Sequence, residues 1–101
     1  MIKVTIRPFY YISHALGGKK EIEISLPDGA IILDLLGLLR TSYNLPDQIH
    51  VDRYTLELFA GEEIRALMIL LNGRNIKSFD GLRTKLEDGA DVALFPLVAG
   101  G

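Results

Sequence analysis

The sequence contains no cysteine. That excludes disulfides, thiolate metal ligands and a cysteine nucleophile, and it fits a reducing compartment. Histidine is scarce too: His14 and His50 are the two, far apart and without the spacing of a metal site. No apolar run approaches the roughly 20 residues needed to span a bilayer. The first residues, Met1-Ile2-Lys3-Val4-Thr5-Ile6, alternate instead of forming the apolar block of a signal peptide. Positive charge is not in excess: 11 Lys and Arg stand against 13 Asp and Glu, interspersed, for a net charge of −2. Nucleic acid and membranes are therefore not expected as partners, and a soluble cytoplasmic protein is. Phosphate loops of the GxxxxGKS/T or GxGxxG kind are missing, and no Ser-His-Asp set can be placed. The acid pairs Glu62-Glu63 and Glu87-Asp88 are adjacent. In extended chain adjacent side chains point to opposite sides, so they read as solvated surface or turn. His14, near a glycine turn, and His50, in a polar loop, also read as surface residues.

What is present is enough apolar material for one core: 49% of 101 residues, beside 24% charged. The expectation is a single domain over residues 1–101. Ile2, Val4 and Ile6 alternate with Lys3, Thr5 and Arg7, the period of a half-buried strand. Ile22, Ile24 and Leu26 repeat the pattern against Glu21, Glu23 and Ser25. Gly17-Gly18 lies between the two, so the pair reads as an antiparallel hairpin. After the turn signal Pro27-Asp28-Gly29 the period changes. Ile32, Leu35, Leu36, Leu39 and Tyr43 make one helical stripe, predicting a helix over 31–43. Gly37 inside it suggests close approach of the helix to the sheet. Asn44 and Pro46 end the helix. Over residues 44–65 the periodicity does not choose between a short strand and a helical turn.

The run from Ala66 to Leu71 predicts a strand covered on both faces or nearly so. Asn72-Gly73 is a type I′ hairpin signal, with a short return strand over 74–77. Glu87-Asp88-Gly89 is another turn, and Asp91 to Phe95 a last apolar strand. Pro96 cannot donate to a ladder, so regular pairing should stop near it and leave a flexible tail from about residue 97. Two hairpins flanking one helix give an α+β fold, with the first strand expected beside the last.

The tail ends in Gly100-Gly101. Without Cβ atoms such a segment extends easily, threads a narrow channel and leaves its carboxylate unhindered. The plain alternative is a frayed end rich in small residues. Against that, the glycines closely follow an apolar strand and a proline stop, which would project them from a rigid sheet.

The segment Leu86 to Gly101, with its turn, strand, proline and Gly-Gly, resembles the end of MoaD/ThiS-family sulfur carriers. Leu70-Leu71-Asn72-Gly73-Arg74-Asn75-Ile76, Met1 to Ile6, and Leu26-Pro27-Asp28-Gly29 with its leucine-rich helix also fit, leaving out about residues 44–65. The resemblance implies the β-grasp fold of ubiquitin, a mixed sheet on one main helix. It implies that an E1-like (MoeB-like) adenylyltransferase activates Gly101 with ATP, and that a sulfur donor turns the acyl-adenylate into a thiocarboxylate. The MoaD branch would make this chain the small subunit of molybdopterin synthase. Its tail would enter the MoaE-like large subunit, which supplies the catalytic side chains, and give sulfur to cyclic pyranopterin monophosphate. No bound cofactor is implied. Gly100 would permit passage through the partner's channel, and Phe95, Pro96, Leu97, Val98 and Ala99 would contact the partner. For Phe95 the other reading is a core residue. Two features depart from the pattern: the added length at 44–65, and Phe95-Pro96-Leu97-Val98 where many MoaD proteins carry two prolines. Related carriers serve thiamine synthesis, tRNA thiolation, cysteine synthesis or protein modification. Length favours a MoaD-like over a ThiS-like chain.

Overall fold

The computed structural model describes residues 1–97. In chain order the elements are β1 (Ile2–Pro8), α1 (Tyr11–Ala15), β2 (Ile22–Leu26), α2 (Ile32–Ser42), β3 (Gln48–Val51), β4 (Tyr54–Glu57), β5 (Phe59–Ala60), β6 (Glu63–Ile64), β7 (Leu67–Leu71), β8 (Arg74–Asn75) and β9 (Asp91–Pro96). Two 3₁₀ turns, Ile76–Ser78 and Gly81–Arg83, lie between β8 and β9. The main sheet runs β2-β1-β9-β7-β8. β1 and β9 pair in parallel, Ile6 beside Val92 and Pro8 beside Leu94, while the other neighbours are antiparallel. The first strand thus lies beside the last, in the mixed sheet with one main helix that the resemblance implies.

The alternation of β1 decides which face is covered. Ile2, Val4, Ile6 and Pro8 are buried, and so are Ile22, Ile24 and Leu26 of β2. Val92 and Leu94 of β9, and Leu67, Ile69 and Leu71 of β7, complete that face. Against it lies the stripe Ile32, Leu35, Leu36 and Leu39 of α2, all at 2% exposure or less. At roughly 1.5–3 kcal/mol for each fully buried side chain, this one interface dominates the stability of the fold. The Asp34 carboxylate reaches back to accept the Ile31 N–H at 2.9 Å, satisfying one of the free donors at the helix start. Asn44, at φ 58°, turns the chain out of the helix. Leu45 then donates to the Leu39 carbonyl at 3.0 Å and is itself buried.

Several expectations need correction. The connection from β1 to β2 is no simple hairpin turn. It holds α1, whose Ile12 is fully buried, before Gly17 and Gly18 close it at φ 82° and 76°. Gly37 does not mediate a close approach: it is exposed, and a Cβ there would meet nothing within 4 Å. Strand β7 is not covered on both faces; Met68 and Leu70 are only half-buried. The return strand β8 is two residues long and passes at once into the 3₁₀ turn.

Residues 44–65 form two small antiparallel ladders, β3 with β4 and β5 with β6. They cover one end of the core through Leu45, Leu58 and Phe59. Arg40 of α2 pins them. Its guanidinium donates to Asp47 at 2.7 and 3.1 Å and to the Gly61 carbonyl at 3.0 Å, and lies 4.6 Å from the Phe59 ring centroid.

Candidate functional site

Strand β9 is the part of the chain best placed to aim a tail. It is held on both sides, by β1 in parallel and by β7 in the opposite sense. Its Val92 and Leu94 are fully buried under α2. Asn72, at the tip of the β7–β8 turn, accepts the Asp91 N–H at 2.9 Å and fixes where the strand starts. Pro96 still sits opposite Leu67. One more backbone bond follows: Leu97 N–H donates to the Ala66 carbonyl at 3.0 Å. Leu97, expected as the first residue of the tail, is therefore tied to the sheet, with 47% of its surface exposed. Val98, Ala99, Gly100 and Gly101 lie outside the described residues.

Phe95 is half-buried and follows Leu94 onto the sheet face turned away from α2. It is not part of the core. Its ring stacks on Phe9, centroids 4.3 Å apart and planes 6° from parallel. Across the sheet Phe95 faces Met68, and Ala93 faces Leu70, all half-buried. The tail end of this face is thus an apolar patch of Phe9, Phe95, Met68, Leu70 and Ala93. The other end is charged. Arg7 donates to Asp91 and to Glu21, both at 2.8 Å, and Lys3 lies 3.9 Å from Glu23. The hydrogen bond from Arg7 to Asp91, and then the two carboxylate charges, raise the guanidinium pKa above its ordinary value. Arginine is effectively always protonated, so Arg7 bounds the patch with fixed charge.

The described residues offer binding surface, and no catalytic cluster comes together among them. His14 and His50 are exposed and apart; His50 Nδ1 lies 3.2 Å from the Thr55 hydroxyl. Glu62, Glu63, Glu87 and Asp88 are exposed. Among the described residues no three His, Asp or Glu side chains converge as metal ligands would, and no helix is long and apolar enough to cross a membrane.

Phe9 and Met68 belong to the apolar patch and were not among the residues expected from the sequence. A signal existed for Phe9: continuing the β1 alternation through Arg7 puts it on the open face. Met68 was hidden inside a run read as covered on both faces.

Known proteins share this architecture and up to about a third of the sequence. The model of the ThiS family matches residues 12–101. Small archaeal modifier protein 3 of Haloferax volcanii is 33% identical over 94 residues, 92% of this chain and 94% of that protein. The solution structure of small archaeal modifier protein 1 from Methanosarcina acetivorans superposes with a TM-score of 0.70 at 27% identity, covering 100% of this chain and 98% of that one. A Pyrococcus furiosus chain described as a molybdopterin converting factor, subunit 1, superposes with a TM-score of 0.71 at 26% identity, covering 97% and 100%.

Proposed function

Because the chain belongs to the ThiS family of ubiquitin-like proteins, we propose that it works through the carboxylate of Gly101, activated by an E1-like adenylyltransferase and carried onward as a thiocarboxylate. In the activation step a carboxylate oxygen attacks the α-phosphate of ATP and pyrophosphate leaves. A donor that delivers hydrosulfide then supplies the nucleophile: the sulfur attacks the acyl carbon, AMP departs, and loss of the S–H proton leaves the thiocarboxylate. The observation that carries the reading is the placement of β9. A strand paired on both sides, with a further backbone bond at Leu97, gives a rigid base beside an aromatic patch, from which Val98-Ala99-Gly100-Gly101 would lead to the partner. The patch of Phe9, Phe95 and Met68 would seat the partner, with Pro96, Leu97, Val98 and Ala99 leading into its channel and Gly100 keeping the last step narrow. The chemistry would be supplied by the partners, in a cytoplasm that provides the ATP.

For the sulfur's destination, the likeness to the Pyrococcus furiosus chain supports the small subunit of molybdopterin synthase, giving sulfur to a pyranopterin in a MoaE-like large subunit. The likeness to the small archaeal modifier proteins supports a second reading, in which the activated Gly101 is attacked by a lysine amine of another protein and an isopeptide bond forms. Both readings pass through the same adenylate.

Deleting Gly101, or adding one residue after it, tests the shared step. Either change moves the carboxylate by about 3.5 Å, the reach of one extended residue. A misplacement of about 1 Å can already cost a hundredfold in rate. Both variants should fold and melt like the parent and release no pyrophosphate with ATP and the activating enzyme. Normal turnover by either variant would refute the reading. Pterin product against protein adducts then separates the two destinations.

A further inference from the structure

Tyr10 stands where the backbone calls for glycine. The chain leaves β1 and reverses through Phe9-Tyr10-Tyr11-Ile12, closed by the Ile12 N–H donating to the Phe9 carbonyl at 3.1 Å. Tyr10 has φ 52° and ψ −124°. That is the first central position of a type II′ turn, which a residue with a Cβ adopts only under strain and which glycine fills freely. Elsewhere this chain does use glycine at positive φ, at Gly17, Gly29, Gly73 and Gly89 among others.

Strain of this kind persists where the surroundings or a function require it. Packing does not require this ring: Tyr10 is 71% exposed, the most exposed of the large aromatic side chains. Its phenol makes no hydrogen bond among the described residues. The ring's aromatic neighbour is Phe9, at 6.4 Å between centroids and 48° between planes. Phe9 in turn stacks on Phe95, in the strand that carries the tail. Three aromatic rings therefore run in a row from the turn to β9, and the outermost is both exposed and held at a conformational cost.

We infer that Tyr10 is a specificity-determining anchor for the enzyme that adenylates the tail, extending the Phe9–Phe95 contact to a ring that enters an apolar socket of that enzyme with its hydroxyl toward a hydrogen-bond acceptor. The inference rests on the proposed function. Continuity with the aromatic patch beside the tail root argues for a partner that grips the tail. The activating enzyme is chosen because both readings require it, whereas their acceptors differ. Tyrosine suits such a contact: its large rigid ring loses little entropy on docking and its hydroxyl can still be satisfied.

The test uses the full chain, a MoeB-class adenylyltransferase, ATP and magnesium, with pyrophosphate release followed as the carrier is titrated, and thermal melts run in parallel. Tyr10→Gly removes the ring and the strain together. It should raise Tm by about 5 °C. It should also raise the KM for the carrier about tenfold or more with kcat little changed, because the reacting carboxylate is untouched. Tyr10→Phe keeps ring and strain, so it should retain the parental Tm and most of the affinity. A Tyr10→Gly variant with KM within about twofold of the parent overturns the inference, since anchors cost at least that. So does a Tyr10→Gly variant that melts lower, because the ring would then serve the fold. If KM is unchanged and affinity is lost only for a large subunit or other acceptor, the assignment to the activating enzyme is wrong. If the parent chain itself releases no pyrophosphate, the proposed function fails and this inference with it; in the other failures Gly101 activation still stands.

Discussion

Leu94 and Phe95 are adjacent in β9 and point to opposite faces, so truncating each should have opposite consequences. Leu94 is fully buried. Leu94→Ala leaves a cavity beneath α2 and should cost about 2–5 kcal/mol of stability. Phe95 is half-buried, and what it has is one face of the stack on Phe9, at 4.3 Å. An aromatic pair adds about 0.5–1.5 kcal/mol beyond area. With half of the area term for a buried phenylalanine, Phe95→Ala should cost about 1–3 kcal/mol of stability, centred below the cost of a core truncation. The partner side reverses the order. A central aromatic anchor costs about 2 kcal/mol or more on truncation, roughly thirtyfold in Kd. Thermal melts rank the two variants for stability, and calorimetric titration against the activating enzyme or large subunit ranks them for binding. Leu94→Ala should lose the most Tm and, where still folded, bind normally; Phe95→Ala should melt moderately lower and bind poorly. A Phe95→Ala variant that melts as low as Leu94→Ala and binds like the parent would refute the assignment of Phe95 to the partner face.

Gly37→Ala should raise stability by about 1 kcal/mol, because the position is exposed, helical and open to a Cβ; a lower Tm would contradict that geometry. Arg40→Ala should cost about 1–2 kcal/mol, because the Gly61 carbonyl loses its donor and the Phe59 ring its cation. Hydrogen exchange should quicken in β3 to β6 and stay slow in β1 and β9; uniform quickening would mean that residues 44–65 are not a separately anchored unit. Asn72→Ala should lower stability by about 1–2 kcal/mol, since alanine fits φ 50° poorly and cannot accept the Asp91 N–H. Asn72→Gly should recover the turn's share of that loss, and no difference between the two variants would count against the turn assignment.

The legible parts of the sequence were those whose burial is one-sided and long enough to repeat. Five residues of alternation in β2 and a four-residue stripe in α2 declare which face is inside. Asn72-Gly73 was readable because few residues tolerate φ 50° followed by 85°. Residues 44–65 were not, because strands of four, four, two and two residues are too short to show a period. What holds them is an arginine seven residues from its carboxylate and twenty-one from its carbonyl partner, a tie no local pattern reveals. At the site, Gly100-Gly101 stood out as two residues without side chains just beyond an apolar strand and a proline, whereas the stack of Phe9 on Phe95 depends on the parallel pairing of strands more than eighty residues apart. Tyr10 carried no signal at all: its importance lies in a backbone conformation that tyrosine does not advertise.

The most direct test of the central claim is intact-mass and fragmentation analysis of the chain after incubation with ATP, an E1-like adenylyltransferase and a sulfur donor. The expected result is a mass gain of one sulfur-for-oxygen exchange, confined to fragments that contain Gly101 and abolished when ATP is withheld. An unchanged mass under conditions in which the same enzymes charge another carrier, or the same gain in a chain lacking Gly101, would contradict it.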